Sequence, residues 1–486
     1  MTAIRVLSVA SEVYPLVKTG GLGDVVAALP AALAHEGIAM RTLVPGYPAV
    51  LEALHDVHIV HTYANLYGAA ARLLRARAAG LELFVIDAPR MFARAGTPYA
   101  DESGTPWSDN AFRFAALAAA AVSIARGAAP DFVPDVVQAH DWQAGLVPAL
   151  LHYGEGPRPA TVMTIHNLAF QGQYPREWLA ALGLPPRAWA MDGVEYYGTI
   201  GFLKAGVALA DRITTVSPTY AAEIRTQEGG MGMDGLLRER AHVLTGIRNG
   251  IDDTVWNPGT DTHLAARYDA RHLGRRSPNK AALQARFALD VDPDAPVFGV
   301  VSRLTHQKGM DLVADVVPHI VASGAQLAVL GSGDPALENR LTAAATRHDR
   351  RVAAVIGYDE ALAHLLQAGI DALLVPSRFE PCGLTQLVAL RYGALPVVAR
   401  VGGLADTVID ANEMALAADT GTGFQFAPVS RSGLALAIGR ALAARRDTRT
   451  WRRLQAHAMA TDVGWRAPAK RYAELFRDVA KRHPTT

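Results

Sequence analysis

Short runs of β-branched residues or leucine, each closed by Gly, Pro, Ser or Asp, recur along the chain. They alternate with longer segments whose apolar residues return every three or four positions. Such alternation predicts βαβ units and parallel sheets. In the first half the predicted strands lie near Ile4–Ala10, Arg41–Val44, Leu81–Asp87, Asp135–Ala139, Thr161–Ile165 and Arg212–Val216. The second half repeats the scheme near Val243–Ile247, Val297–Val301, Gln326–Leu330, Val352–Ile356, Asp371–Val375 and Pro396–Ala399. Two such sets predict two doubly wound α/β domains. Between them, residues 249–294 are rich in Asp, Pro, Gly and Arg, with one helical stretch near Lys280–Leu289, so a boundary is expected near residues 246–250. Trp465, Tyr472, Leu475 and Phe476 share a helical spacing in the basic tail, which predicts a terminal helix packed on one domain.

Composition sharpens this picture. The chain has 486 residues, 50% apolar and 19% charged, enough for about three domains of ~150 residues or two large ones. Lys and Arg number 47 against 46 for Asp and Glu, a net charge of +1, so no global field favours nucleic acid or an anionic membrane. Any anion must be recognised locally. The single cysteine, Cys382, excludes a disulfide framework and a Cys-based zinc site and fits a cytoplasmic setting. The apolar start is interrupted by Ser8 and stopped by Glu12, and the run Phe114–Ala125 is shorter than the roughly 20 residues a membrane span needs.

In open α/β sheets ligands bind beyond the carboxyl ends of strands, so motifs there carry the most weight. After the first strand, Lys18-Thr19-Gly20-Gly21-Leu22-Gly23-Asp24 leads into a helix. Glycine backbone, a helix start and a lysine suit a phosphate, although a plain tight turn fits the segment equally. It is neither a dinucleotide fingerprint nor a Walker A loop. His140-Asp141-Trp142 and His166-Asn167 follow two further strands; Asp141 and His166 are placed to grip sugar hydroxyls, and taken singly each histidine also reads as structural. Arg303 and Lys308 follow the strand at 297–301 and can converge on a diphosphate, or stand as a solvated pair. In Pro376-Ser377-Arg378-Phe379-Glu380-Pro381-Cys382-Gly383-Leu384-Thr385, the carboxylate Glu380 sits beside the amides that begin a helix. Asp290-Val291-Asp292 imitates a metal-holding DxD but lies in a polar linker, and Cys382 has no sequence neighbour to activate it as a nucleophile.

The strings KTGGLGD, HDWQAG, TIHNLAFQG, SRLTHQKG and PSRFEPCGLTQL, in this order, resemble the bacterial glycogen synthase and plant starch synthase family over essentially the whole chain. The resemblance implies a GT-B arrangement: two Rossmann-like domains facing across a deep cleft that closes on the substrate. Its domains would be residues 1–246 on the acceptor side, 247–460 for the nucleotide sugar, and a helix within 461–486 crossing back to the first domain. It further implies transfer of glucose from ADP-glucose, as co-substrate, to the nonreducing end of an α-1,4-glucan with retention and release of ADP. No metal or other cofactor is implied. Residue by residue, Arg303 and Lys308 would neutralise the departing diphosphate, Glu380 would hydrogen-bond the glucosyl ring, and Gly383, Leu384 and Thr385 would form a second phosphate cradle, with Cys382 a loop residue beside it on the substrate-binding side. Lys18 and Gly21 would approach the diphosphate, Asp141 and His166 would hold glucose hydroxyls with Asn249 nearby, and the Tyr358 ring would pack on adenine. The visible departure is Gly23, where bacterial members commonly carry Ala.

Retention is compatible with a covalent enzyme intermediate or with same-face attack; same-face attack is favoured because no second carboxylate offers itself as nucleophile. Oligomeric state stays open, a homo-oligomer included. The rival readings are a transferase using UDP-glucose or a small-sugar acceptor, a hydrolase with Asp141 and Glu380 as its carboxylate pair, a nicotinamide dehydrogenase, and a non-catalytic sugar-nucleotide sensor.

Overall fold

The computed structural model describes residues 3–482. Residues 1, 2 and 483–486 of the expected first and terminal segments lie outside the described residues. The chain forms two units, one running to Asn249 and resumed at Trp465, the other from Gly250 to Gly464.

The first unit is built on a nine-stranded sheet. Its strands are β1 (Ile4–Val9), β2 (Ile38–Pro45), β3 (His55–Leu66), β4 (Ala69–Ala78), β5 (Leu81–Asp87), β6 (Val136–His140), β7 (Ala160–Ile165), β11 (Arg212–Thr215) and β12 (Leu244–Gly246), while β8 (Gln173–Pro175), β9 (Glu195–Tyr196) and β10 (Thr199–Gly201) form a small sheet of their own. The order β12-β11-β7-β6-β1-β2-β5-β4-β3 is parallel except at β4 and β3. From β1 the chain winds outward to β2 and β5; from β6 it winds the other way to β7, β11 and β12. The winding therefore reverses between β1 and β6, where loops diverge and leave a crevice. Helix Gly21–Ala34 and the terminal helix Arg466–Arg482 cover one face, Val25, Leu29 and Leu33 meeting Tyr472, Phe476 and Val479 over Val6, Val136 and Val162.

Two of these findings depart from the sequence reading. The strand expected to open the second domain near Val243–Ile247 is β12, the edge of the first sheet, because it pairs with β11 and Ile247 joins the core beneath Trp465 and Tyr472. The first unit boundary falls at Asn249, within the expected 246–250 and three residues beyond the domain end at 246, and the second at Trp465 rather than at 461. The hairpin β3–β4 was not anticipated. Its two-residue loop, Tyr67-Gly68, has φ of 47° and 86°, and Ala79-Gly80 turns β4 into β5 with 49° and 75°. Left-handed pairs of this kind match the twist of the flanking strands. Their usual signal is Asn-Gly or Asp-Gly, and neither is present.

The second unit carries a six-stranded parallel sheet, β15-β14-β13-β16-β17-β18, from β13 (Val297–Val301), β14 (Gln326–Gly331), β15 (Val352–Ile356), β16 (Ala372–Val375), β17 (Leu395–Ala399) and β18 (Phe424–Phe426). Successive residues bury into opposite layers: Phe298 and Val300 enter one cluster and Val297 the other, and Leu327 and Val329 oppose Ala328 and Leu330. Burial on both faces explains the near-continuous apolar strands. Counted within the unit the order is 3-2-1-4-5-6, with its reversal between β13 and β16.

Candidate active site

At the reversal in the second unit, the loop after β13 and the loop after β16 are stitched together through backbone. Arg378 N donates to Gln307 O at 2.8 Å, and the Arg378 guanidinium reaches His306 O at 2.7 Å and both carboxylate oxygens of Asp311 at 2.7 and 2.6 Å. The Asp311 carboxyl is held below its usual range by that guanidinium. Gly309 lies against Pro376 at φ 71°, and a Cβ there would come within 2.1 Å of the Pro376 carbonyl oxygen. Only glycine allows this approach. The stitching places Lys308 Nζ 2.7 and 2.6 Å from the two Glu380 oxygens, and Ser377 Oγ donates to Glu380 Oε2 at 2.8 Å. Glu380 is 5% exposed, so its charge is matched by the ammonium in a largely desolvated place.

The two cations expected to converge on a diphosphate differ in how they are held. Lys308 is held by Glu380, while Arg303, on the same loop, is exposed and without a side-chain partner among the described residues. Cys382 is buried, and its carbonyl lies 2.3 Å from where a Cβ on Gly403 would stand. Gly383, at φ 72°, and Leu384 precede helix Thr385–Tyr392, whose start has no side-chain cap, and the first amides of a helix have no intrahelical acceptor. Gln386 Nε2 donates to the Cys382 and Gly383 carbonyls at 3.0 Å each and thereby fixes the turn. Tyr358 follows β15, two strands from β13 and so about 10 Å along the rim; its ring is 72% exposed and its hydroxyl donates to Glu360.

In the first unit the reversal gathers a second set of groups. Ser8 Oγ on β1 lies 3.1 Å from His140 Nε2 on β6, and His140 Nδ1 lies 2.8 Å from His166 Nε2 after β7. Burial lowers both imidazoles, His166 to about 3 and His140 well below its usual value, so the two rings are neutral and one donates to the other. Asp141 is buried at φ 53°, a strained conformation for a residue with a side chain, and its Oδ1 accepts the His166 and Asn167 amides at 2.7 and 3.3 Å. Its Oδ2 and His166 Nδ1 have no partner among the described residues, which leaves two polar atoms for a ligand hydroxyl.

Burial raises Asp141 to about 7, against the opposing pull of the two amides. Between the unfolded value of 3.8 and that point the folded protein therefore holds a proton that the unfolded chain has lost. Stability from this group is present below the window and falls as pH rises through it, by at most about 1.4 kcal/mol per pH unit. The measurement is the difference in denaturant midpoint between the protein and Asp141→Asn across pH 4–7. A difference that stays level or grows with pH contradicts the assignment.

The sequence reading passed over Glu12, which holds the glycine loop. Its buried carboxylate accepts Thr19 N at 2.6 Å, Thr19 Oγ1 at 2.5 Å and Gly20 N at 3.3 Å, and takes the Tyr99 hydroxyl as well. A carboxylate ending the first apolar run was the available signal. Lys18 pairs with Asp24 at 2.8 Å beside the Tyr14 ring, and Gly21 begins helix Gly21–Ala34. At Gly23 an added methyl would meet Val17 O at 3.4 Å and Lys18 carbons at 3.5 Å, ordinary contact, so either glycine or alanine fits there. Asn249 is buried with Oδ1 unpartnered among the described residues. Asp290 accepts from Arg350 at 2.5 Å and Asp292 from the Asp294 amide at 2.8 Å, and among the described residues no group of three or more His, Cys, Asp or Glu is arranged for a metal. No described helix is long and apolar enough to cross a membrane.

Comparison with known proteins follows the same division. A family profile described as the starch synthase catalytic domain matches residues 5–239, and one described as glycosyl transferases group 1 matches residues 283–455. A glycogen synthase of Rhodopseudomonas palustris (strain BisB18) is 59% identical over 479 residues, covering 99% of this chain and 98% of that protein. One of Methylocella silvestris is 60% identical over 481 residues, covering 99% and 100%. Among solved structures, the catalytic domain of starch synthase IV from Arabidopsis thaliana, bound to ADP and acarbose, aligns with a TM-score of 0.90 at 30% identity over 99% of this chain and 100% of that one. Sucrose-phosphate synthase from Thermosynechococcus elongatus aligns at 0.61 and 18% identity over 99% and 100%, a likeness of fold.

Proposed function

The chain belongs to the glycogen synthase and starch synthase family of GT-B glycosyltransferases, and we propose that it transfers glucose from ADP-glucose to the nonreducing end of an α-1,4-glucan, with retention of configuration and release of ADP. The observation that carries this reading is Lys308 clamped on Glu380 at the sheet reversal of the second unit. There a cation is fixed before any ligand arrives. Breaking a glycosyl–phosphate bond leaves positive charge on C1 of the sugar and negative charge on the departing diphosphate, and groups already aimed at that charge need no reorganisation.

In the proposed step the C1–O bond breaks with its electron pair going to the β-phosphate oxygen of ADP. The acceptor 4-hydroxyl oxygen bonds C1 from the same face, and its proton passes to that phosphate oxygen. Lys308 and the unpaired Arg303 offset the developing negative charge, and the amides at Gly383 to Thr385 accept a phosphate oxygen. Glu380 holds Lys308 and faces the glucosyl ring; Asp141 Oδ2 and His166 Nδ1 take glucose hydroxyls. Lys18, Gly21 and Asn249 are assigned to the donor's polar groups, and Tyr358 to its base. Lys308, fixed by Glu380, and Arg303 together supply the positive charge a divalent ion supplies in metal-dependent transferases, so the proposed reaction needs none. A cytoplasmic setting fits the single, buried cysteine.

The assay offers ADP-glucose or UDP-glucose with glycogen in EDTA and follows nucleoside diphosphate release and glucose incorporation. Incorporation from ADP-glucose is expected to exceed that from UDP-glucose at least tenfold. Preference for UDP-glucose, dependence on added metal, or free glucose released without nucleotide contradicts the proposal.

A further inference from the structure

A pocket of about 400 Å³ opens in the first unit, away from the rim just described. It is lined by Arg158, Arg212, Arg240 and Arg482, with Asp211 as its one lining carboxylate. Arg158 precedes β7 and Asp211 precedes β11, so the pocket lies at the amino ends of these strands. His166 follows the carboxyl end of β7, six residues on, or about 20 Å away. In a chain whose net charge is +1, four guanidiniums around one cavity are a strong local excess.

The carboxylates nearby are already engaged. Asp211 takes Arg158 at 3.0 Å through one oxygen and the Thr161 amide and hydroxyl at 2.8 and 2.7 Å through the other. Asp478, on the terminal helix, is shared by Arg212 and by Arg482, the latter at 3.2 Å. Arg240 forms no ion pair among the described residues: it donates to the carbonyls of Ala208 and Ala210, which removes the negative end of helix Phe202–Leu209 from the pocket. The Nε atoms of Arg158 and Arg240 are buried without an acceptor among the described residues. Four guanidiniums against the paired carboxylates of Asp211 and Asp478, with Glu239 acting on Arg240 from beyond the lining, leave a surplus of positive charge with donors in forked geometry, and Ala208, Leu209 and Val479 supply an apolar wall. The balance and the shape fit a dianion.

We propose that this pocket binds a phosphate dianion, free or carried on a small sugar, and that its occupant ties the terminal helix to the amino ends of β7 and β11. The test is a titration of the full chain with inorganic phosphate and, separately, with a hexose monophosphate, read by calorimetry and by the unfolding midpoint. It is repeated on Arg240→Gln, Arg482→Gln and Lys308→Met. Both probes are expected to bind the parent and Lys308→Met alike and to bind the two arginine variants at least tenfold more weakly. Tighter binding of the hexose monophosphate identifies a sugar phosphate, and equal binding identifies the ion. Arg482 is 62% exposed in its side chain, so its variant folds even where Arg240→Gln does not. Absence of binding, undiminished binding to Arg482→Gln, or loss of binding in Lys308→Met overturns the proposal. The readout needs no glucosyl transfer and is therefore independent of the donor assay.

Discussion

Lys308→Ala is expected to lower kcat by about 10²–10³-fold, the loss seen when one preorganised donor to a developing anion is removed. Stability should fall as well, because Glu380, 5% exposed, is left with Ser377 as its remaining side-chain partner among the described residues. Breaking a buried ion pair from one side costs about 3–5 kcal/mol, less here to the extent that Lys308 keeps 18% of its side chain in solvent. A single variant therefore mixes two effects, and the double variant Lys308→Met/Glu380→Gln separates them. With both charges gone the denaturant midpoint is expected to return most of the way to that of the parent, while kcat stays down. Recovery of kcat together with the midpoint would make the pair a structural brace and remove it from the chemistry.

Gly309→Ala is expected to be a severely damaging one-methyl change at the rim of the second unit. Its φ of 71° costs a residue with a side chain about 1–2 kcal/mol, and the methyl would stand 2.1 Å from the Pro376 carbonyl oxygen. The loops after β13 and β16 must then separate, and Lys308 moves with them. A loss of about 3 kcal/mol or more is expected, with kcat falling although no reactive group has been removed. The control is Gly439→Ala in helix Arg431–Arg446, where an added Cβ meets nothing within 4 Å and a gain of up to about 1 kcal/mol is expected. Denaturant unfolding and steady-state kinetics on both variants decide the point; an unchanged midpoint for Gly309→Ala would mean that the two loops are not locked.

The parallel strands were legible because burial on both faces writes them as short apolar runs, and their ends pointed to Glu380, Lys308, Asp141 and His166. The hairpin β3–β4 was not legible. Most of β3 is exposed, so it lacks an apolar face, and its turn uses Tyr67 rather than asparagine. β12 was assigned to the wrong sheet because a strand's composition does not say which neighbour it pairs with. The site showed the same limit. Residue types at strand ends announced cations and carboxylates, whereas partner choice depends on register: Glu380 takes Lys308 and Ser377, Lys18 meets Asp24, and Arg303 has no side-chain partner among the described residues. Glu12 escaped notice for a related reason, since its three backbone and hydroxyl donors come from a loop seven and eight residues on and are invisible as a motif.

The central claim is that the rim groups serve transfer to a glucan rather than hydrolysis. Its most direct test supplies ADP-glucose labelled in the glucosyl unit together with unlabelled glycogen, and counts ADP, free glucose and polymer-bound label in one reaction. The account predicts one labelled glucose in α-1,4 linkage for each ADP released, and almost no label as free glucose. ADP release matched by free labelled glucose, or label joined to the polymer in the β configuration, would contradict it.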